Sequence, residues 1–271
     1  MDPKLYRLSR RLFLSDLGRG TLAVAILGPT AVACGSSGGD GSAVPSTTAA
    51  TPSSTTGPPI TTEPGPIDTT GAELAPLEWA RVNLDFVSAY VLVRGNEAAV
   101  VDTGLAADAA PIETALDTLG ADFSSVNHVV ITHLHSDHQG ALRPVLEAAP
   151  SAMAYAGTAD VAGIESPRTV LGLDDGDEVF GLRVIHTPGH TPGHISVFDP
   201  DSGLLVAGDA VIGADGGLAG PDPAFADDIE MANASVSLLA ERDVDAVLMG
   251  HGEPVESGAG PLLTDLAASL S

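Results

Sequence analysis

One lysine, Lys4, and one cysteine, Cys34, occur in 271 residues, and neither lies beyond the first 34. A lone cysteine cannot close an internal disulfide, so the fold must hold through burial and hydrogen bonding. Basic side chains are scarce: eleven Lys and Arg stand against 36 Asp and Glu, a formal charge of −25. After Cys34 only six arginines remain. Nucleic-acid binding needs Lys/Arg patches that displace counterions from phosphates, and none is visible, which sets that class of partner aside. The acids read as a solvated surface. Long apolar runs are also missing. The N-terminal one, Thr21 to Ala33, is interrupted by Gly28 and Pro29 and falls short of the about 20 residues that span a bilayer.

What is present divides into three textures. Residues 1–34 read as an export signal, with SRRLFL (Ser9 to Leu14) placing two arginines ahead of the apolar run. That pair resembles a twin-arginine signal, a route for proteins already folded. Cys34 follows Ala31-Val32-Ala33 and precedes Gly35, which resembles a lipoprotein cleavage site. The expectation is a lipid anchor on Cys34 and a place on the extracytoplasmic face of the cell membrane; the alternative is a cleaved signal and a secreted protein. Residues 35–70 are nearly all Gly, Ser, Thr, Pro and Ala. Such a stretch buries too little apolar surface to offset its ordering entropy and reads as a disordered tether. Residues 71–271 have regular apolar runs, enough for one well-buried domain.

Within that domain short β-branched runs alternate with helical patterns. The pattern predicts strands at 82–83, 88–94, 98–102, 128–132, 152–156, 179–186, 195–198, 204–207 and 246–249. It predicts helices at 107–119, 139–148, 228–242 and 260–270, the third capped by Asp227 or Asp228. Strands and helices interleaved in this way imply sheets covered by helices, an α/β fold.

The stretch THLHSDHQG (Thr132 to Gly140) holds three of the eight histidines and an aspartate. His133 and His135 follow VVIT and, in an extended segment, point the same way. The turn at Ser136 lets Asp137 and His138 reach a second position. His190 ends HTPGH, Asp209 ends LLVAGD, and His251 follows AVLMG. Each lies where an apolar strand runs into a turn, and ligands at strand ends converge on one crevice. Imidazoles and carboxylates in this number suit two divalent ions, zinc first, with iron or manganese as alternatives. The set divides as His133, His135 and His190 on one ion, Asp137, His138 and His251 on the other, with Asp209 bridging. A single histidine of this kind would read as a packed core or surface residue; the whole constellation does not.

VDTG (Val101 to Gly104), THLHSDHQG, TPGHTPGH (Thr187 to His194), GD (Gly208 to Asp209) and GHG (Gly250 to Gly252) together resemble the metallo-β-lactamase fold superfamily, the αββα four-layer sandwich hydrolases. The resemblance covers essentially the whole domain. It implies the same two trios and bridge, with Asp102 and His194 as supports beside the ligands. His128 and His186 match no ligand position and read as structural.

Two cations held close together lower the pKa of the water between them from 15.7 toward ~7, so hydroxide attacks at ordinary pH. Asp137 is placed to orient it and pass a proton to the leaving group. Departures from the superfamily's branches narrow the substrate. Asp209 stands where β-lactamases of the fold place cysteine or serine. No Lys or Arg follows Arg242, unlike the basic C-terminal extension that grips glutathione in its thioester hydrolases. His135 stands where di-iron flavoprotein relatives have glutamate. The expectation is hydrolysis of a small-molecule ester, lactone or thioester. Alternatives are a phosphodiesterase or β-lactamase of the same fold, or a non-catalytic zinc-binding surface lipoprotein. The segment 211–226 is expected at the pocket entrance; Tyr155 and Phe225 read equally well as pocket or core aromatics. Oligomeric state is not legible.

Overall fold

Strand β2 (Val87–Arg94) is buried along its whole length, and its side chains alternate between two cores. Val91 and Val93 enter one, Tyr90 and Leu92 the other. A strand buried on both faces needs a helical layer on one side and a second sheet on the other. Both are present in the structure, a computed structural model that describes residues 74–105, 107–214 and 216–271. The expected export signal, Cys34 and the tether lie outside the described residues.

One sheet has six strands in chain order: β1 (Leu77–Leu84), β2, β3 (Glu97–Val101), β4 (Val126–Ile131), β5 (Met153–Gly157) and β6 (Val170–Leu173). The first three pair antiparallel, and β3 to β6 run parallel. Parallel neighbours require crossovers. These hold α1 (Ala110–Thr118) between β3 and β4, α2 (Ser136–Gln139) and α3 (Leu142–Ala148) between β4 and β5, and a single 3-10 turn (Val161–Gly163) between β5 and β6. Ile112, Leu116, Leu142, Val145 and Leu146 seal the outer face.

The second sheet joins β7 (Glu178–Val179), β8 (Leu182–His186), β9 (Ile195–Asp199), β10 (Leu204–Gly208) and β13 (Ala246–Met249) in the order β13-β10-β9-β8-β7. On β10, Leu204 and Val206 face the first sheet while Leu205 and Ala207 face away. That outer side is covered by α4 (Ile229–Ala240) and α5 (Ala259–Leu270) through Val236, Leu239 and Leu263. The layers therefore read αββα, the expected fold. A hairpin of β11 (Ile212–Ala214) and β12 (Gly217–Ala219) stands apart from both sheets.

Polar ties join the sheets at both ends. At the end of β2 the Arg94 guanidinium donates to Asp199 Oδ1 at 2.6 Å, with side chains 7% and 1% exposed. At the opposite end Ser88 N–H donates to Gly250 O (2.8 Å) and Ile195 N–H to Thr132 O (2.9 Å).

Several sequence expectations change. The run 179–186 is not one strand: Phe180 and Gly181 form the turn of the β7–β8 hairpin, with Phe180 at φ 56°. An apolar turn residue packed against the inter-sheet core leaves no polar break to read. The helix expected over 139–148 is two, interrupted at Gly140 and Ala141, and its first part starts at Ser136. Strand β1 is eight residues long, well beyond Val82 and Asn83. Strands β6, β11 and β12 were not expected. Of the two proposed caps for α4, Asp228 is the one in place, accepting Met231 N–H at 3.0 Å.

Candidate metal centre

Strands β3, β4, β8, β10 and β13 all lead into turns that carry the expected site residues at one rim of the sandwich. Asp102 follows β3 in a left-handed conformation, φ 59°. Its Oδ1 accepts Thr132 N–H (2.7 Å), and its Oδ2 accepts the Thr132 hydroxyl and lies beside His138 Nδ1, both at 2.8 Å. The last contact fixes the His138 proton on Nδ1 and turns Nε2 into the site. Asp102 thus takes the supporting place expected of it.

His133 and His135 do converge, but not as alternate residues of a strand. β4 stops at Ile131, and the bend that follows brings the rings together through different nitrogens, Nε2 of His133 and Nδ1 of His135, 3.0 Å apart. His190 Nε2 completes the trio at 3.2 Å and 2.9 Å from those atoms. A second trio comprises Asp137, His138 and His251, whose Nε2 is 3.4 Å from Asp137 Oδ2. Asp209 lies between the two. Its Oδ2 is 3.3 Å from His190 Nε2 and 3.2 Å from His251 Nε2, and its Oδ1 is 3.3 Å from His138 Nε2. The side chains of all seven residues expected as ligands are therefore gathered in one cluster. Gly250 makes room: a Cβ there would overlap Asp209 Oδ1 and lie 2.5 Å from His138 Cε1.

The donor atoms fit divalent cations. The Thr132 hydroxyl proton goes to Asp102, so Thr132 Oγ1, 3.0 Å from His133 Nδ1, accepts the imidazole proton and leaves a lone pair on Nε2. Burial holds His133 well below its ordinary pKa and pushes His190 down to about 4, keeping both neutral near pH 7. The His133 lone pair faces His135 Nδ1 and His190 Nε2 at 3.0 and 3.2 Å, three ring nitrogens close enough together to share one cation. His138 Nε2 and Asp209 Oδ1 are buried with no hydrogen-bond partner, atoms that a metal would satisfy.

The acidic side of the pocket collects positive charge. Burial alone would depress His138, but Asp209 and Asp102 hold it well above its ordinary value. Burial likewise opposes His251, yet its bonds to Asp137 and Asp209 push it up to about 10. Burial would raise Asp209 and Asp137, and the neighbouring histidines pull both down instead.

His194 is not in either trio. It is fully buried, its Nε2 accepts the backbone N–H of Asp209 at 3.0 Å, and its Nδ1 is 2.8 Å from the Thr187 hydroxyl. It therefore supports the bridging residue through the backbone. His128 lies with Tyr155 and Phe180, and His186 Nε2 is 3.0 Å from Pro192 O, both away from the ligand clusters. Tyr155 belongs to the inter-sheet core. Phe225 is half exposed. Its segment touches the site through Gly213 N–H to His251 O at 2.8 Å.

Three neighbours of the ligands escaped the sequence reading. Phe86, in the β1–β2 turn, offers its carbonyl to His251 Nδ1 at 2.7 Å and lies parallel to that ring, 6.1 Å between centroids. Gln139 and Asp160 contact the His133–His135 bend. Asp160 follows β5, so the rule that pointed to other strand ends would have pointed to it as well.

Clustered metal-ligating side chains at the strand ends of an αββα sandwich define a class, and comparison with known proteins agrees. Residues 82–251 match the family model described as the metallo-beta-lactamase superfamily. The chain belongs to that superfamily and is a hydrolase of it. It is 30% identical over 201 residues to the uncharacterized protein YobT of Bacillus subtilis, covering 63% of this chain and 85% of that one. It is 41% identical over 130 residues to a hydroxyacylglutathione hydrolase of Gloeobacter violaceus, covering 45% and 48%; the chain thus spans about half of that relative. Among solved structures it is similar to the metallo-beta-lactamase family protein TTHA1429 of Thermus thermophilus, with TM-score 0.56, 25% identity, and 71% and 78% of the two chains covered. The protein TTHA1623 in a di-iron-bound form gives TM-score 0.54 and 25% identity, with 68% and 93% covered.

Proposed function

We propose that the chain hydrolyses an ester, lactone or thioester of a small molecule. Two divalent ions, zinc first, would be held by His133, His135 and His190, by Asp137, His138 and His251, and by Asp209 between them. The observation that carries this reading is the reach of Asp209, one carboxylate within 3.3 Å of histidines from both trios. Ions bound there would supply a water that ionises near neutral pH and a Lewis acid for the carbonyl oxygen.

The chain's own residues supply the rest. Asp137 is the more open carboxylate, its side chain 22% exposed against 7% for Asp209, so it is placed to orient the attacking water and hold its proton. Water oxygen bonds to the carbonyl carbon, the C–O or C–S bond breaks, and the proton leaves with the alcohol or thiol. Asp102 and His194 hold His138 and Asp209 in place while charge moves. Phe86, half exposed with its ring parallel to that of His251, offers apolar surface to an organic substituent. Arg81, which bonds the carbonyl of Gly252 next to His251, is also occupied by Glu253 (2.6 Å) and Ser88 Oγ (2.9 Å), which disfavours a strongly anionic carrier.

The test is a panel of esters, lactones, thioesters, phosphodiesters and β-lactams offered to the metal-loaded chain. Turnover of the first three supports the reading. Turnover confined to phosphodiesters or β-lactams would replace it with one of those activities. Bound metal without turnover, surrendered to a mild chelator within minutes, would favour a zinc-carrying surface protein. We also propose that residues 1–34 direct export and that Cys34 carries a lipid on the extracytoplasmic face. Cys34→Ala should then move the protein from the membrane to the soluble fraction, and an unchanged distribution would remove the anchor.

A further inference from the structure

The peptide of Leu134, the residue between His133 and His135, is held on both sides by side chains that are not ligands. Its N–H donates to Asp160 Oδ2 at 3.1 Å, and its carbonyl accepts from the Gln139 amide. Asp160 is fully buried. The same carboxylate reaches the loop of the third histidine: Oδ2 accepts the Thr191 hydroxyl at 2.5 Å and Oδ1 accepts Gly193 N–H at 2.7 Å. Those donors lie 26 to 33 residues away, on both sides of Asp160 in the chain.

The junction is built tightly around that carboxylate. A Cβ on Gly193 would overlap Asp160 N and lie 2.6 Å from its Oδ1, and one on Gly157 would overlap Gly193 O. Burying a carboxylate is costly unless hydrogen bonds replace its water. Here three donors do so, and all three belong to segments that deliver His133, His135 and His190.

We propose that Asp160 is a positioning residue for the ion of the three-histidine trio, setting the separation between the bend that carries His133 and His135 and the loop that carries His190. The proposal rests on the ligand assignment above. It differs from a general staple in being selective. The other trio has its own supports, Asp102 on His138 Nδ1 and the Phe86 carbonyl on His251 Nδ1, and neither touches Asp160. A lesion at Asp160 should therefore loosen one ion and leave the other.

The experiment titrates the full chain with Co²⁺ and follows stoichiometry, visible absorption and release to a chelator. Wild type should take two equivalents. Asp160→Asn places an amide NH₂ against backbone donors, and should keep one equivalent while binding the other about 10- to 100-fold more weakly. Thr191→Val removes a single donor and should weaken the same ion by a smaller factor. Two backgrounds assign the ion. Asp160→Asn should show its full effect when His251→Ala has disabled the other trio, and add nothing when His190→Ala has already disabled this one. Equal weakening of both ions, or of neither, would overturn the proposal. If Asp160→Asn fails to fold by circular dichroism, Thr191→Val decides by the same criteria. A wild-type chain that binds no Co²⁺ would overturn the ligand assignment itself, and the proposal with it, which is a distinguishable failure.

Discussion

Alkaline titration of Tyr90 offers a measurable link between the inter-sheet core and the metal rim. Tyr90 is 1% exposed, and its hydroxyl donates to Met249 O at 2.8 Å, two residues before His251. Burial is the main cause that pushes its pKa from 10.0 up to about 12, outweighing Arg81, which lowers it. A raised pKa means that the unfolded chain ionises first. The stabilisation is therefore whole below pH 10 and is lost as pH climbs from 10 to 12. Two pKa units at 1.36 kcal/mol each give about 2.7 kcal/mol. His251 and Tyr155 also titrate in or near that window, but both proteins carry them, so the difference between the two curves isolates Tyr90. Tyr90→Phe removes the ionisable group and leaves the Met249 carbonyl without its donor, which should cost about 1 to 3 kcal/mol at pH 8. Urea unfolding of both proteins from pH 8 to pH 11.5 is the assay. Wild type should lose stability more steeply, so that the gap narrows and closes as pH rises. Parallel curves across the range would refute the reasoning.

Three further perturbations probe the site and the fold. Asp209→Ala removes the carboxylate shared by both trios; turnover should vanish and bound metal should fall below two equivalents, while near-native circular dichroism remains. Retained turnover would mean the bridge is dispensable. Arg94→Met leaves Asp199 buried and unpaired at 1% side-chain exposure, with an expected cost of about 3 to 5 kcal/mol in urea unfolding. A loss below about 1 kcal/mol would show that Asp199 finds another partner. Gly250→Ala drives a methyl against Asp209 Oδ1 and His138 Cε1, so metal content should drop with little change in the melting temperature. Full metal content in that variant would show that the strand end yields to the methyl.

The clustered histidines and aspartates were legible because a metal-type donor set restricts which side chains can serve and where the sheet can present them. His190, Asp209 and His251 each stand a few residues past a buried strand, and the apolar runs of β8, β10 and β13 announce those strands. The same logic recovered the helices that cover the sheets, because α4 and α5 each present an apolar face. It failed where packing overrides local pattern. Phe180 is an apolar residue in a tight turn, and β6 leaves Leu171 exposed and contains Gly172, so neither shows a strand boundary or an alternation.

Supports are harder to read than ligands for a different reason. Accepting a backbone N–H asks only for an oxygen in the right place, and the chain can supply that from anywhere. Asp160 is one of 36 acids, with no histidine beside it in sequence; its place after β5 marks it as a candidate, but its role shows only in the folded contacts to Leu134, Thr191 and Gly193. Asp102 was found because it sits inside VDTG; Asp160, in TAD, has no such frame. A buried acid just beyond a strand end, in a chain whose other acids are mostly solvated, is therefore the feature to seek when ligands are already known. Its burial must be offset by donors, and donors on two ligand loops tie the acid to the metal geometry more firmly than proximity alone.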